Sequence, residues 1–231
     1  MKRSTIQSLN DFRARRISVV VIKNLNTGAE QIIEENRDDV PATLVGAVDE
    51  AFRTNKSRVT EIDGDEWFVQ SYAPVPRLFV IGAVHVTQHL VPMANAAGYD
   101  PVVIDPRTAF ATEERFNGVN LIAEWPQEVI KPDMLDSRSG VVALTHDPKI
   151  DDPALELALE APCFYIGALG SRRTHATRVE RLQSRGFDEQ KIDRIQAPIG
   201  LDIGAQGPAE IAISIMAEIT ACLRLRKDTQ V

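Results

Sequence analysis

From residue 77 onward the chain carries short apolar runs that do not alternate with polar residues. Strands covered by helices on both faces of a parallel sheet produce such runs, because neither face meets water. The runs lie at residues 77–82, 101–105, 120–123, 140–145 and 163–167. Helical spacing of apolar residues is found at residues 84–97, 153–159, 174–185, 189–195 and 208–226. This alternation predicts an α/β domain with a parallel sheet over residues 77–231.

The first 76 residues follow another pattern. Strand-like segments flanked by turn residues predict two hairpins, and Pro41 is expected to open a helix between them that reaches residue 54. The strand segments are residues 17–23, 30–34, 58–62 and 66–72. These elements predict a small α+β domain over residues 1–76. The stiff Pro-Val-Pro sequence at residues 74–76 suggests the domain boundary.

Composition excludes several classes of protein. The formal net charge is −7, so the chain has no general positive field to attract nucleic acid. No apolar run approaches the roughly 20 residues of a membrane span, and the polar N-terminus lacks the apolar stretch of a signal peptide. We therefore expect a cytoplasmic protein that binds neither membrane nor nucleic acid.

Cysteine usage points to a reducing compartment and away from a resident metal site. Cys163 and Cys222 are the two cysteines, which suits reduced thiols better than a disulfide framework and excludes a four-thiolate zinc site. Cys163 begins an apolar run and is expected to pack in a strand rather than to react.

The first strand-to-helix turn of the second domain departs from the dinucleotide fingerprint of Rossmann domains. Gly82 keeps the glycine of the tight turn, but Val84 stands where a second glycine normally lets a pyrophosphate approach. Asp105 lies about 20 residues further on, where an acidic residue meets a ribose hydroxyl, although it could equally cap the next segment. His85 could donate to an anion at the helix start or act as a capping residue.

A polar cluster follows the run at residues 140–145. His146 and Asp147 stand at the carboxyl end of a predicted strand, where open parallel sheets hold their ligands. An acid/base pair or metal ligands are conceivable there, and we favour a functional role for His146. Asp152 is instead expected to cap a helix that begins at Pro153.

A glycine turn with two arginines follows the run at residues 163–167. Backbone N–H groups at Gly167 and Gly170, the Ser171 hydroxyl and the guanidinium groups of Arg172 and Arg173 predict a cradle for an oxyanion or phosphate. The alternative is that both arginines are ordinary surface charges.

A second glycine-rich loop precedes the last helix. Gly200, Asp202 and Gly204 lie within it, and Pro208 opens the helix. The loop either closes over a ligand held by the other turns or serves as a rigid connector.

Several long motifs together resemble the C-terminal Rossmann domain of the XdhC/CoxI family, which comprises xanthine dehydrogenase accessory factors. They are THD at residues 145–147, DDPAL at 151–155, YIGALGSRR at 165–173, APIGLDIG at 197–204 and PAEIAISIMAEI at 208–219. The resemblance covers residues 77–226 in family order, and several motifs in register are more specific than one glycine fingerprint.

The resemblance implies a maturation factor that binds molybdenum cofactor (molybdopterin) and aids its sulfuration or insertion into a molybdenum hydroxylase of the xanthine or carbon monoxide dehydrogenase type. The implied partners are that apoenzyme, a cysteine desulfurase and a second copy of the chain in a homodimer. We expect cofactor binding rather than catalysis. The expected cofactor-binding residues are Gly82, His85, Asp105, His146, Asp147, Gly167, Gly170, Ser171, Arg172, Arg173, Gly200, Asp202 and Gly204.

Two departures from the family pattern leave alternatives open. Val84 replaces a glycine of the family, and residues 1–76 contain no cysteine where the family's N-terminal domain carries one. The first alternative is an NAD(P)-binding oxidoreductase, which the βαβ start and Asp105 favour and Val84 opposes. The second is a non-catalytic adaptor that binds a molybdoenzyme through its first domain.

Overall fold

The computed structural model describes residues 2–35 and 40–225. Their contacts divide the chain into two units, one formed by the residues up to Pro74 together with Arg224 and Leu225 and one by Val75–Leu223. The predicted end of the last helix at residue 226 lies outside the described residues. None of the described helices is long and apolar enough to cross a membrane.

The first unit is a four-stranded antiparallel sheet with two helices. Its elements are α1 (Arg3–Ala14), β1 (Val19–Asn24), β2 (Glu30–Glu34), α2 (Val45–Thr54), β3 (Arg58–Ile62) and β4 (Asp65–Tyr72). The sheet order is β2-β1-β4-β3, so both predicted hairpins form and the small α+β fold is confirmed. The predicted helix start at Pro41 is wrong, because residues 42–44 form a turn and α2 begins at Val45.

The second unit is the predicted α/β domain. Its elements are β5 (Arg77–Ile81), α3 (His85–Ala96), β6 (Asp100–Ile104), β7 (Asn120–Ile122), α4 (Pro126–Val129), β8 (Ser139–Ala143), α5 (Pro148–Glu160), β9 (Tyr165–Ala168), α6 (Arg172–Ser184), α7 (Glu189–Ile192), β10 (Ile195–Gln196) and α8 (Pro208–Arg224). The six strands pair in parallel in the order β7-β6-β5-β8-β9-β10. This is the strand order of a dinucleotide-binding Rossmann domain, which confirms the predicted fold class.

Helices cover both faces of this sheet, and the central strand shows why its apolar run does not alternate. Leu78 and Val80 of β5 face the core beneath α3 and α8. Phe79 and Ile81 face the opposite core beneath α5. All four side chains are fully buried, because each pleat of the strand points into one of two cores.

The start of α5 differs from the prediction. The helix begins at Pro148, and Asp147 caps it by accepting a hydrogen bond of 2.9 Å from the Lys149 backbone N–H. The expected cap at Asp152 and helix start at Pro153 are therefore wrong. Asp152 instead lies inside the helix and is fully buried.

The element before the last loop also differs. The sequence predicts one helix over residues 189–195, whereas α7 ends at Ile192 and β10 follows at Ile195–Gln196. Ile195 pairs with Ile166 of β9, so it extends the sheet instead of the helix.

Candidate functional site

A pocket of about 270 Å³ opens between α5 and α6, beyond the carboxyl ends of β8 and β9. Most of the residues that line it are polar or charged. From the turn after β8 and from α5 it is lined by His146, Pro148, Asp151 and Asp152. From α6 it is lined by Arg173, Thr174, Thr177, Arg178 and Arg181. Ligand sites of parallel α/β sheets lie at this edge, so the pocket is the candidate site.

Arg178 is a buried cation with unused donors. It lies on α6 and is 2% exposed. Its Nη2 donates a hydrogen bond of 3.0 Å to the Leu169 carbonyl, whereas Nε and Nη1 have no hydrogen-bond partner. Burial lowers the pKa of Arg178, which shows that the charged form is poorly solvated in the fold.

Asp151 is the matching buried anion. Its Oδ1 accepts hydrogen bonds from the Thr145 backbone N–H at 3.2 Å and the Thr145 hydroxyl at 2.7 Å. Its Oδ2 is buried without a partner. Burial raises the pKa of Asp151, and the hydrogen bonds from Thr145 offset only part of that rise.

Asp152 and Arg181 are already satisfied by each other. The Asp152 carboxylate accepts hydrogen bonds from Arg181 Nε at 2.7 Å and Nη2 at 2.9 Å, a bidentate pair. This pair bridges α5 and α6 beside the pocket. Asp151 is thus the pocket-lining carboxylate that keeps an unpartnered oxygen.

Two of the predicted site residues meet in this pocket, His146 and Arg173. His146 is exposed and has a left-handed backbone with φ of 64°, which turns the chain sharply between β8 and α5. Arg173 is exposed in the first turn of α6. Both therefore line the rim, while Asp151 and Arg178 form the buried floor.

The next three residues of the predicted anion cradle, Gly170, Ser171 and Arg172, do not line the pocket. The Ser171 hydroxyl caps α6 by accepting from the Thr174 backbone N–H at 3.2 Å. Gly170 takes a φ of 137°, which allows the turn into the helix. Arg172 is exposed and does not line the pocket.

The first turn of the domain is held by its own side chains. Asp105 Oδ2 accepts from the Ala83 backbone N–H at 2.8 Å, and Arg107 donates to both carboxylate oxygens at 2.9 and 2.7 Å. Burial raises the pKa of Asp105, but the hydrogen bonds from Arg107 and Ala83 outweigh it and lower the pKa below its usual value. A ribose hydroxyl would have to compete with Arg107 for this carboxylate.

The residues next to this turn do not line the pocket between α5 and α6. Arg115 donates to the Ala83 carbonyl at 2.9 Å, from the loop that follows β6. His85 is exposed at the start of α3, and Gly82 has a φ of 116° where a side chain would collide with Thr145. The structure thus places Gly82, His85 and Asp105 in a turn separate from the pocket lining.

The remaining predicted residues lie near α8 or on the surface. A Cβ on Gly167 would lie 2.6 Å from Ile199 Cδ1, and Gly200 donates from its backbone N–H to Glu218 Oε2 at 2.8 Å. Asp202 and Gly204 are exposed. None of the four lines the pocket.

Sequence reasoning missed the pocket floor. From the sequence, Asp151 is included only as part of the DDPAL motif, and Arg178 is assigned no role. One signal was present in the sequence: Arg178 lies four residues before Leu182, so it shares the helix face that Leu182 turns to the core. A cation on the buried face of a helix needs a partner, which marks a candidate site.

The side chains that line the pocket can bind a polar ligand. They offer guanidinium, imidazole and hydroxyl groups and one unpartnered carboxylate oxygen, but no thiol. Cys163 lies just before β9 rather than within it, and burial raises the pKa of its thiol to about 12. Within residues 2–35 and 40–225, no group of three or more His, Cys, Asp or Glu is placed to hold a metal ion.

Two curated proteins match about two thirds of the chain. The chain is 30% identical over 161 residues to the molybdenum cofactor insertion chaperone PaoD of Escherichia coli K12, covering 70% of this chain and 44% of that protein. It is 33% identical over 153 residues to a probable xanthine dehydrogenase component of Bacillus subtilis 168, covering 66% of this chain and 44% of that protein. The chain thus spans less than half the length of these curated relatives.

A solved structure resembles nearly all of the chain. It is described as a xanthine dehydrogenase from Bacillus halodurans, and it superposes with a TM-score of 0.66 at 26% identity, covering 99% of this chain and 66% of that one. The family model described as the XdhC Rossmann domain matches residues 78–219, more than half of the chain. The resemblance expected from the motifs is confirmed, and the chain belongs to the XdhC Rossmann-domain family.

Proposed function

We propose that this protein is a maturation factor for a molybdenum hydroxylase and that it binds molybdenum cofactor in the pocket between α5 and α6. The observation that carries the proposal is the buried guanidinium of Arg178, which keeps two unpartnered nitrogen donors in a pocket at the ligand-binding edge of the sheet. Relatives whose names refer to cofactor insertion and to xanthine dehydrogenase support molybdenum cofactor as the ligand.

The donors and acceptors of the pocket fit this cofactor. Molybdenum cofactor carries a phosphate and one ring carbonyl oxygen that accept hydrogen bonds, and a pterin ring with N–H donors. Arg178 and Arg173 would hold the acceptors, and Asp151 Oδ2 would accept from the donors. When bound, the cofactor is cargo, since its oxygen-transfer chemistry belongs to the target enzyme. The role of the chain is to hold and shield it.

Cofactor binding and delivery test the proposal directly. The purified protein is mixed under anaerobic conditions with molybdenum cofactor released from a molybdoenzyme, and co-elution on gel filtration is measured. The loaded protein is then added to apo xanthine dehydrogenase, and the recovered activity is compared with that from free cofactor. We expect co-elution and higher recovery. If the cofactor neither co-elutes nor is delivered, the proposal fails.

Arginine variants assign the cofactor to this pocket. Arg178→Gln removes the buried charge and should abolish co-elution, whereas Arg185→Gln, an arginine of the same helical region outside the pocket lining, should leave it unchanged. Equal loss in both variants would place the cofactor elsewhere.

The partners and location extend the proposal. We infer a homodimer that acts in the cytoplasm and contacts both the apoenzyme and a cysteine desulfurase, which would allow sulfuration before insertion. Light scattering gives the oligomeric state, and pull-down with each candidate partner tests the contacts. Retention of the apoenzyme without any cofactor binding would favour the non-catalytic adaptor instead.

A further inference from the structure

The two buried charges on the pocket floor are each held on one side only. Asp151 is anchored through Oδ1 to Thr145, and Arg178 is anchored through Nη2 to the Leu169 carbonyl. The opposite halves, Asp151 Oδ2 and Arg178 Nε and Nη1, have no partner. Two side chains that line the same cavity therefore keep one acceptor and two donors without a hydrogen-bond partner.

These charges do not satisfy each other. No hydrogen bond joins Asp151 to Arg178, although both are 2% exposed and line one pocket. Burying hydrogen-bonding atoms of charged groups without partners is costly. The arrangement is explained if a ligand inserts between them and completes both sets of hydrogen bonds.

The size of the cavity and its neighbours restrict that ligand. About 270 Å³ exceeds the roughly 30 Å³ share of one water and approaches the 300 Å³ of the smallest ligand pockets. Asp152 does not compete for the ligand, because Arg181 occupies both of its oxygens. A flat bicyclic ring that offers donors beside an acceptor on one edge meets these requirements.

We infer that Asp151 and Arg178 bind the 2-amino-4-oxo edge of a pterin ring, with the amino and ring N–H groups donating to Asp151 Oδ2 and the 4-oxo oxygen accepting from Arg178. The inference rests on the proposed function and names the part of the cofactor that the pocket floor recognises. Arg173 at the rim then lies free to meet the phosphate. Guanine presents the same hydrogen-bonding edge, so the experiment must distinguish a pterin from a guanine ligand.

Titration calorimetry of the whole chain with three small probes measures their affinities and tests this inference. Pterin carries the complete edge, whereas lumazine has a carbonyl in place of the 2-amino group and would set an oxygen against Asp151 Oδ2. We expect pterin to bind at least about tenfold more tightly than lumazine, because a site built for a donor rejects the analogue that lacks it. Guanosine presents the same edge and, like pterin, carries no phosphate that Arg173 could bind, and we expect it to bind more weakly than pterin. Tighter binding of guanosine would assign the pocket to guanine and overturn the inference.

Asp151→Asn keeps the shape of the side chain but removes its charge. In this variant pterin affinity should fall at least about tenfold, and the preference over lumazine should disappear. Glu180→Gln, on an exposed residue of α6, is the control and should behave as wild type. Thermal melting confirms that both variants fold. Equal binding of pterin and lumazine to the wild type, absence of pterin binding, or unchanged affinity in Asp151→Asn overturns the inference.

Binding of the whole cofactor separates this inference from the proposed function. If Asp151→Asn still co-elutes with molybdenum cofactor as the wild type does, recognition of the pterin edge is wrong while the maturation role stands. If the wild type binds pterin in the expected way but not the cofactor, the maturation role fails and the inference about the edge stands.

Discussion

At the scale of single residues, one tightly packed glycine shapes the core rather than the ligand site. Gly167 lies in β9, where an added Cβ would lie 2.6 Å from Ile199 Cδ1 and 2.7 Å from the Tyr165 hydroxyl. The Tyr165 side chain cannot easily move away, because its hydroxyl donates a hydrogen bond to Glu218 of helix α8. The sequence marked Gly167 as part of an anion cradle, and packing accounts for it.

Gly167→Ala should therefore destabilise the fold. Overpacking of this kind typically costs about 1–3 kcal/mol of unfolding free energy. The control is Gly207→Ala, since a Cβ at Gly207 meets nothing within 4 Å. Urea denaturation of both variants and the wild type measures the difference, and equal free energies for the two variants would contradict the packing role.

His175 should make stability depend on pH. Burial lowers the pKa of His175 below 6.5, and the nearby charge of Arg178 adds to this effect. The unfolded chain then binds a proton at a higher pH than the folded chain does. The stabilisation is thus present above pH 6.5 and is lost as the pH falls through the lowered pKa of the folded state.

The measurement is the unfolding free energy at several pH values between 7.5 and about 4.5, a window set by the usual histidine pKa near 6.5. His175→Asn should flatten the decline seen for the wild type at low pH. His89→Asn, at an exposed position on α3, serves as the control. Parallel curves for the wild type and His175→Asn would show that His175 does not cause the decline.

At the scale of elements, the cap of α5 fixes where the pocket wall begins. The Asp147 carboxylate accepts from the Lys149 backbone N–H, so the helix starts at Pro148. Asp147→Ala should lower the unfolding free energy by about 1 kcal/mol, as loss of an N-cap usually does. Glu180→Ala on the exposed side of α6 provides the comparison in the same denaturation experiment. A cost no larger than that of the control would refute the capping role.

The strands could be predicted from the sequence because burial on both faces of a sheet requires an unbroken apolar run, as in β5 (Arg77–Ile81). The start of α5 could not be predicted from the sequence. Asp152 followed by Pro153 has the form of a cap and first helical residue, yet that form also fits Asp147 followed by Pro148, five residues earlier. Local spacing cannot rank two such signals, and burial of Asp152 against Arg181 decides between them.

The candidate site was less predictable for a related reason. Residues that follow strands, such as His146 and Arg173, were found because strand ends meet at one edge of the sheet. Arg178 lies in the second turn of a helix, and its importance depends on which helix face is covered. That knowledge comes from tertiary packing, which no local pattern contains.

At the scale of the whole molecule, each unit closes its own hydrophobic core. The core of the first unit draws on residues 20–69, and both cores of the second draw on residues 78–223. A boundary at residues 74–76 therefore remains a sound prediction, since cutting there divides none of these three cores. Function and fold of the second unit should then be separable from the first.

The fragment of residues 75–231 should fold alone and keep the ligand pocket. We expect a single cooperative thermal transition and pterin affinity within about threefold of the full chain, because every residue lining the pocket lies between His146 and Arg181. Circular dichroism and titration calorimetry measure these two properties. A matched fragment ending inside α8, at residue 215, should fail to melt cooperatively, since Ile219 and Leu223 belong to the core under that helix. If the longer fragment is also unfolded, the two units depend on each other and the boundary does not separate independent domains.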